Sequence, residues 1–114
     1  MLNWLSLTEI NQLDDLFEKS VNQKVIIFKH STRCSISTMI KDRLERNWPI
    51  DLENQKIYYL DLLNHRDISN AIADKTGIEH QSPQVVIIEN GICIFYANHN
   101  FINADAIKNE LIGN

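Results

Sequence analysis

Lys24-Val25-Ile26-Ile27-Phe28-Lys29-His30-Ser31-Thr32-Arg33-Cys34-Ser35-Ile36-Ser37 is the stretch that decides the fold. Its first half is a β-branched and aromatic run with no turn former, the pattern of a central strand covered on both faces. The polar residues Ser31, Thr32 and Arg33 then break the run. Beyond them Ile36, Met39, Ile40 and Leu44 return at helical spacing, until Asn47-Trp48-Pro49 ends the helix. A cysteine therefore stands where a strand, through a short polar loop, becomes a helix.

Working outward, Ile10, Leu13, Leu16 and Phe17 predict a helix over about 8–20, with Thr8 as its N-cap. Ahead of it, Trp4 and Leu5 suit either a short edge strand or a hydrophobic lid. Downstream, Lys56 to Leu62 reads as a strand, and Ile68, Ala71 and Ile72 predict a helix closed by Thr76-Gly77. After Ser82-Pro83, the runs Gln84–Glu89 and Ile92–Ala97 are joined by Asn90-Gly91, a two-residue hairpin signal because a type I′ turn needs positive φ at both positions. A last amphipathic helix covers about 103–112. Strands alternating with helices predict parallel pairing through right-handed crossovers, and the hairpin adds antiparallel strands. The expected fold is α/β, a mixed central sheet with helices on both faces.

The 114 residues suit one domain, 1–114, and with 44% hydrophobic and 23% charged residues the composition is that of a chain that folds. A net charge of −4 and only scattered cations (Lys41, Arg43, Arg46) argue against nucleic-acid binding. No apolar stretch reaches the roughly 20 residues that span a bilayer, and Met1, Leu2, Asn3 and Trp4 form no cationic leader, so no membrane role and a cytoplasmic location are expected. Cys34 and Cys93 are far apart, and in a reducing compartment a disulfide between them is not expected. The histidines His65, His80 and His99 lack metal-ligand spacing and read as surface or loop residues. No metal site is expected.

At the start of a helix, unpaired backbone N–H groups and the helix dipole favour negative charge, so Cys34 is placed to act as a thiolate nucleophile. Arg33, with Lys29 or His30, would add positive potential. Cys34-Ser35-Ile36-Ser37 is a C-x-x-S arrangement: one turn along stands a hydroxyl, which cannot attack a mixed disulfide. Ser37 is then either a hydrogen-bond donor to the Cys34 sulfur or a solvated or capping helix residue. Cys93, between Ile92 and Ile94, has no evident source of thiolate stabilisation and reads as a packing residue.

The order strand, cysteine loop, helix, strand, helix, proline, hairpin resembles the thioredoxin fold, whose loop proline is cis and packs against the reactive cysteine. That resemblance implies a cis Ser82–Pro83 bond. The stretch Ile27 to Ser37, with Trp4, Gln12-Leu13, Tyr58-Tyr59-Leu60-Asp61 and Ser82-Pro83-Gln84, further resembles the YtxJ family, the monothiol bacilliredoxins of the bacillithiol system. The resemblance implies an enzyme that removes bacillithiol from proteins carrying it as a mixed disulfide, with bacillithiol as co-substrate and no bound cofactor. It implies Cys34 as nucleophile, Ser37 in place of a resolving cysteine, and Ser82 and Pro83 shaping the substrate-docking surface with Arg33 and Ser35. Some relatives carry proline where this chain has Ser35, which restores a backbone N–H. Expected partners are bacillithiolated proteins and a low-molecular-weight thiol, the protein itself acting as a monomer. Two other readings are a monothiol glutaredoxin-like iron–sulfur module, from whose usual Cys-Gly-Phe-Ser this chain departs, and a redox-inactive thioredoxin-like adaptor.

Overall fold

The computed structural model describes residues 2–112; Met1, Gly113 and Asn114, which the single-domain expectation includes, lie outside the described residues. Five strands form one sheet: β1 (Asn3–Ser6), β2 (Val25–His30), β3 (Lys56–Asp61), β4 (Gln84–Glu89) and β5 (Ile92–Asn98). Four α-helices complete the fold: α1 (Ile10–Lys19), α2 (Ser35–Arg46), α3 (Arg66–Thr76) and α4 (Ala104–Ile112). The strand order is β1-β3-β2-β4-β5, with β1 and β2 parallel to β3 and the β4–β5 hairpin antiparallel. This is the mixed sheet that the sequence pattern predicts, and Trp4 and Leu5 belong to an edge strand rather than a lid.

Alternation along β2 sorts its side chains between two cores. Ile26 and Phe28 join Ile40 and Leu44 of α2 and Ile107 of α4, whereas Val25 and Ile27 join Leu13 and Leu16 of α1 and Ile68 and Ile72 of α3. All six residues of β2 are buried, as a strand covered on both faces requires. The same parity sends His30 to the α2 side and Lys29 to the α3 side. His30 stacks on Phe28 with ring centroids 6.0 Å apart, and Lys29 Nζ reaches the Ser69 carbonyl and His80 Nδ1, each at 3.4 Å.

Local signals act largely as read. Asn90 and Gly91 have φ of 54° and 78°, and the turn docks on Ser20, whose backbone carbonyl accepts the Asn90 N–H and whose hydroxyl accepts the Gly91 N–H. Gly77 caps α3 in the left-handed region, and Asn103 caps α4 by accepting the Ala106 N–H at 2.8 Å. The N-cap of α1 is Glu9, not Thr8. The Gln12 side-chain oxygen accepts the N–H groups of both Thr8 (2.7 Å) and Glu9 (2.8 Å), which holds Thr8 outside the helix.

Candidate active site

Strand register places the loops that matter at one end of the sheet. His30 at the end of β2 lies opposite Asp61 at the end of β3, and its neighbour Lys29 lies opposite Gln84 at the start of β4, which is opposite Asn98 at the end of β5. The loops 31–34, 62–65, 81–83 and 99–101 therefore converge.

Cys34 is the N-cap residue of α2, extended at φ −102° and ψ 117°; its N–H donates to the Ser31 carbonyl, and its own carbonyl accepts the Thr38 N–H at 3.1 Å. Its thiol is half-buried and free. The sulfur thus leaves the chain where the first N–H groups of a 12-residue helix have no intrahelical partners, a setting that favours an anion. Ser35, the first helical residue, is exposed, as are Ile36 and Met39 of the first turn and a half.

Ser37 takes neither role the C-x-x-S spacing suggests. It is fully buried, its oxygen lies 2.6 Å from His30 Nδ1, and it accepts the Ser31 N–H at 3.2 Å. Among the described residues no hydrogen bond joins it to the Cys34 sulfur. Its contacts instead pin the reactive loop to the end of β2. His30, flanked by Phe28 and Tyr59, is pushed below its usual range by burial and then by nearby Lys41. It is neutral at neutral pH and supplies no positive charge to the cysteine. Lys29 stays charged at neutral pH, burial lowering its ammonium only to about 8, but its side chain is turned to the α3 face, toward Ser69 and His80 and away from α2. Of the three cations expected around Cys34, only Arg33 stands exposed in the loop, lining a cleft with Thr32, Leu63, Asn64 and Arg66.

Ser82–Pro83 is cis. The Pro83 carbonyl accepts the His99 N–H at 3.0 Å, tying the proline loop to the end of β5. Gln84, wholly buried, donates to the Glu79 carbonyl and to Asn98 Oδ1, while its own oxygen and the Ser82 hydroxyl have no partner among the described residues.

Cys93 lies near the opposite end of the sheet, since it pairs with Ile88, itself opposite Val25 at the start of β2. Roughly 15 Å of strand separates that level from the Cys34 end, whereas a disulfide needs Cα atoms within about 7 Å. Burial raises the Cys93 thiol, and its Sγ donates to the Phe95 carbonyl. His80 lies in the loop between α3 and β4, as expected, and is half-buried there against Ser69 and Lys29; among the described residues no group of three or more His, Cys, Asp or Glu could hold a metal. Sequence reasoning did not find His30 as the partner of Ser37, nor Asn64 and Arg66 beside Arg33. Nothing local signals contacts between separate loops.

A helix-capping cysteine beside a cis-proline loop, on a sheet of this order, defines a thiol–disulfide oxidoreductase of thioredoxin fold. A solved structure described as a putative oxidoreductase with a thioredoxin fold is 31% identical, with 92% of this chain and 90% of that one covered at a TM-score of 0.78. Mitochondrial thioredoxin 3 of Saccharomyces cerevisiae (18% identity, 96% and 92% covered, TM-score 0.68) and Fasciola hepatica thioredoxin (11%, 93% and 94%, 0.70) share the fold. The family model for monothiol bacilliredoxin BrxC matches residues 5–107, and the chain belongs to that family. Its partners are accordingly proteins that carry thiols. Among the described residues no helix is long and apolar enough to cross a membrane.

Proposed function

We propose that this protein removes bacillithiol from protein mixed disulfides through Cys34 alone. The observation that carries this is the isolation of the sulfur. The position one helical turn along holds a buried serine engaged by His30 and Ser31, and the second cysteine lies toward the far end of the sheet. No thiol of this chain is placed to resolve a disulfide formed at Cys34.

In the first step the Cys34 thiolate attacks the bacillithiol sulfur of the mixed disulfide. A bond forms between the two sulfurs, and the substrate protein leaves as a thiolate that takes a proton from water. A second bacillithiol thiolate then attacks the bacillithiol sulfur bound to Cys34, giving bacillithiol disulfide and restoring the Cys34 thiolate. Two electrons pass from small thiol to protein, and no bound cofactor is required. The family likeness assigns substrate docking to Arg33, Ser35, Ser82 and Pro83, and exposed Ile36 and Met39 offer apolar contact to a protein substrate. The protein works as a monomer in the reducing cytoplasm.

Incubation with a bacillithiolated protein, followed by intact-mass and peptide mass spectrometry, is expected to show the bacillithiol adduct on Cys34. Release of bacillithiol at the wild-type rate by Cys34→Ala would overturn the assignment.

A further inference from the structure

Beside the reactive loop a cleft of about 390 Å³ opens between two segments remote in sequence, lined by Thr32 and Arg33 on one side and Leu63, Asn64 and Arg66 on the other. Its character differs from that of the chain, which carries a net charge of −4: two guanidinium groups line it, and no carboxylate does. Neither arginine makes a salt bridge among the described residues, where the ion pairs are all lysine pairs elsewhere. Of the neighbouring acids, Asp61 at the end of β3 is turned onto its own segment, accepting from Asn64 Nδ2 at 2.8 Å and from the Leu63 N–H at 3.3 Å, and Asp67 in the first turn of α3 does not line the cleft. That pair of bonds also holds the Asn64 amide in place. Arg66 is the first residue of α3, so the positive end of an 11-residue helix adds to the same field.

Two unpaired guanidinium groups, an amide and a hydroxyl around one cleft match a carboxylate in both charge and geometry, because arginine presents parallel N–H donors to paired oxygens. The cleft begins at the residue next to Cys34. We propose that it is a carboxylate-binding subsite that orients the small thiol during exchange, so that the enzyme selects low-molecular-weight thiols and disulfides bearing carboxylate groups over uncharged ones. This rests on the reading of Cys34 as the nucleophile.

The test compares the rate at which Cys34 is modified by two disulfides, the dicarboxylated 5,5′-dithiobis(2-nitrobenzoate) and the uncharged 2,2′-dithiodipyridine, with the modified residue located by peptide mass spectrometry. Arg66→Gln, at the start of a helix that does not contain the cysteine, is expected to lower the ratio of anionic to uncharged rate about fivefold, and Arg33→Gln with Arg66→Gln about tenfold or more. Arg46→Gln, in the last turn of α2, should leave the ratio within about twofold of wild type. Succinate, an unreactive dicarboxylate, should slow the anionic reagent selectively and shift the backbone NMR signals of 32–34 and 63–66 in the wild type but not in the double variant. A ratio unchanged by Arg66→Gln, or succinate shifts that persist in the double variant, would overturn the subsite. If Cys34 reacts with neither reagent while succinate still shifts those signals, the nucleophile assignment fails and the anion site stands.

Discussion

Lys29 offers the sharpest physical test of the structure, because a strand interior has buried an amine with no carboxylate to meet it. Its side chain has 0% exposure, and its partners are the Ser69 carbonyl and His80 Nδ1, each at the long distance of 3.4 Å. Burial moves the ammonium from 10.5 to about 8, a difference equivalent to about 3 kcal/mol between the two protonation states. Solvent reaching the amine and local relaxation reduce this by roughly half, leaving a penalty of about 1.5 kcal/mol on the protonated folded state at pH 7. Between pH 8 and 10.5 the unfolded chain holds this proton more tightly than the folded one, so the Lys29 contribution to stability rises with pH through that window. His80, which burial and then Lys29 and Arg66 hold below its usual range, is already neutral there. Tyr59 and Cys93, both raised, act in the opposite direction, and a variant differing only at Lys29 cancels them.

Lys29→Met keeps the length of the side chain and removes the charge. It is expected to be more stable than wild type by about 1 to 1.5 kcal/mol at pH 7, with the gap narrowing as pH rises from 8 toward 10.5. Urea denaturation of both proteins from pH 7 to 9.5 measures this directly. A variant less stable than wild type at pH 7, or a gap that does not narrow with pH, would refute the claim that Lys29 is buried with its charge uncompensated.

Ser37→Ala leaves His30 Nδ1 and the Ser31 N–H without their hydroxyl partner and should cost about 1 to 2 kcal/mol, read as a drop of several degrees in Tm by calorimetry; a Tm within about a degree of wild type would mean the hydroxyl does not hold the loop. Gly91→Ala should cost about 1 kcal/mol from its φ of 78° alone, since nothing lies within 4 Å of the added methyl and the N–H that donates to Ser20 is kept. Chemical denaturation showing no loss would argue against the type I′ turn.

Local sequence determined which segments are strands and helices, the antiparallel hairpin at Asn90-Gly91, and the position of Cys34 at a helix start. Periodicity, capping and turn chemistry are properties of neighbouring residues, so they are legible without a partner. The cis Ser82–Pro83 bond was legible too, through likeness to a known fold rather than from the dipeptide.

What side chains meet was decided only by the tertiary structure. Alternation along β2 says that Lys29 and His30 point to opposite faces, but not which face carries α2. The crossover settles this, sending His30 to Ser37 beside the reactive loop and Lys29 away to α3. The charged cleft arose likewise: Arg33 and Arg66 are separated by a helix and a strand, and share one cleft because β2 and β3 are parallel and both end at the same edge of the sheet.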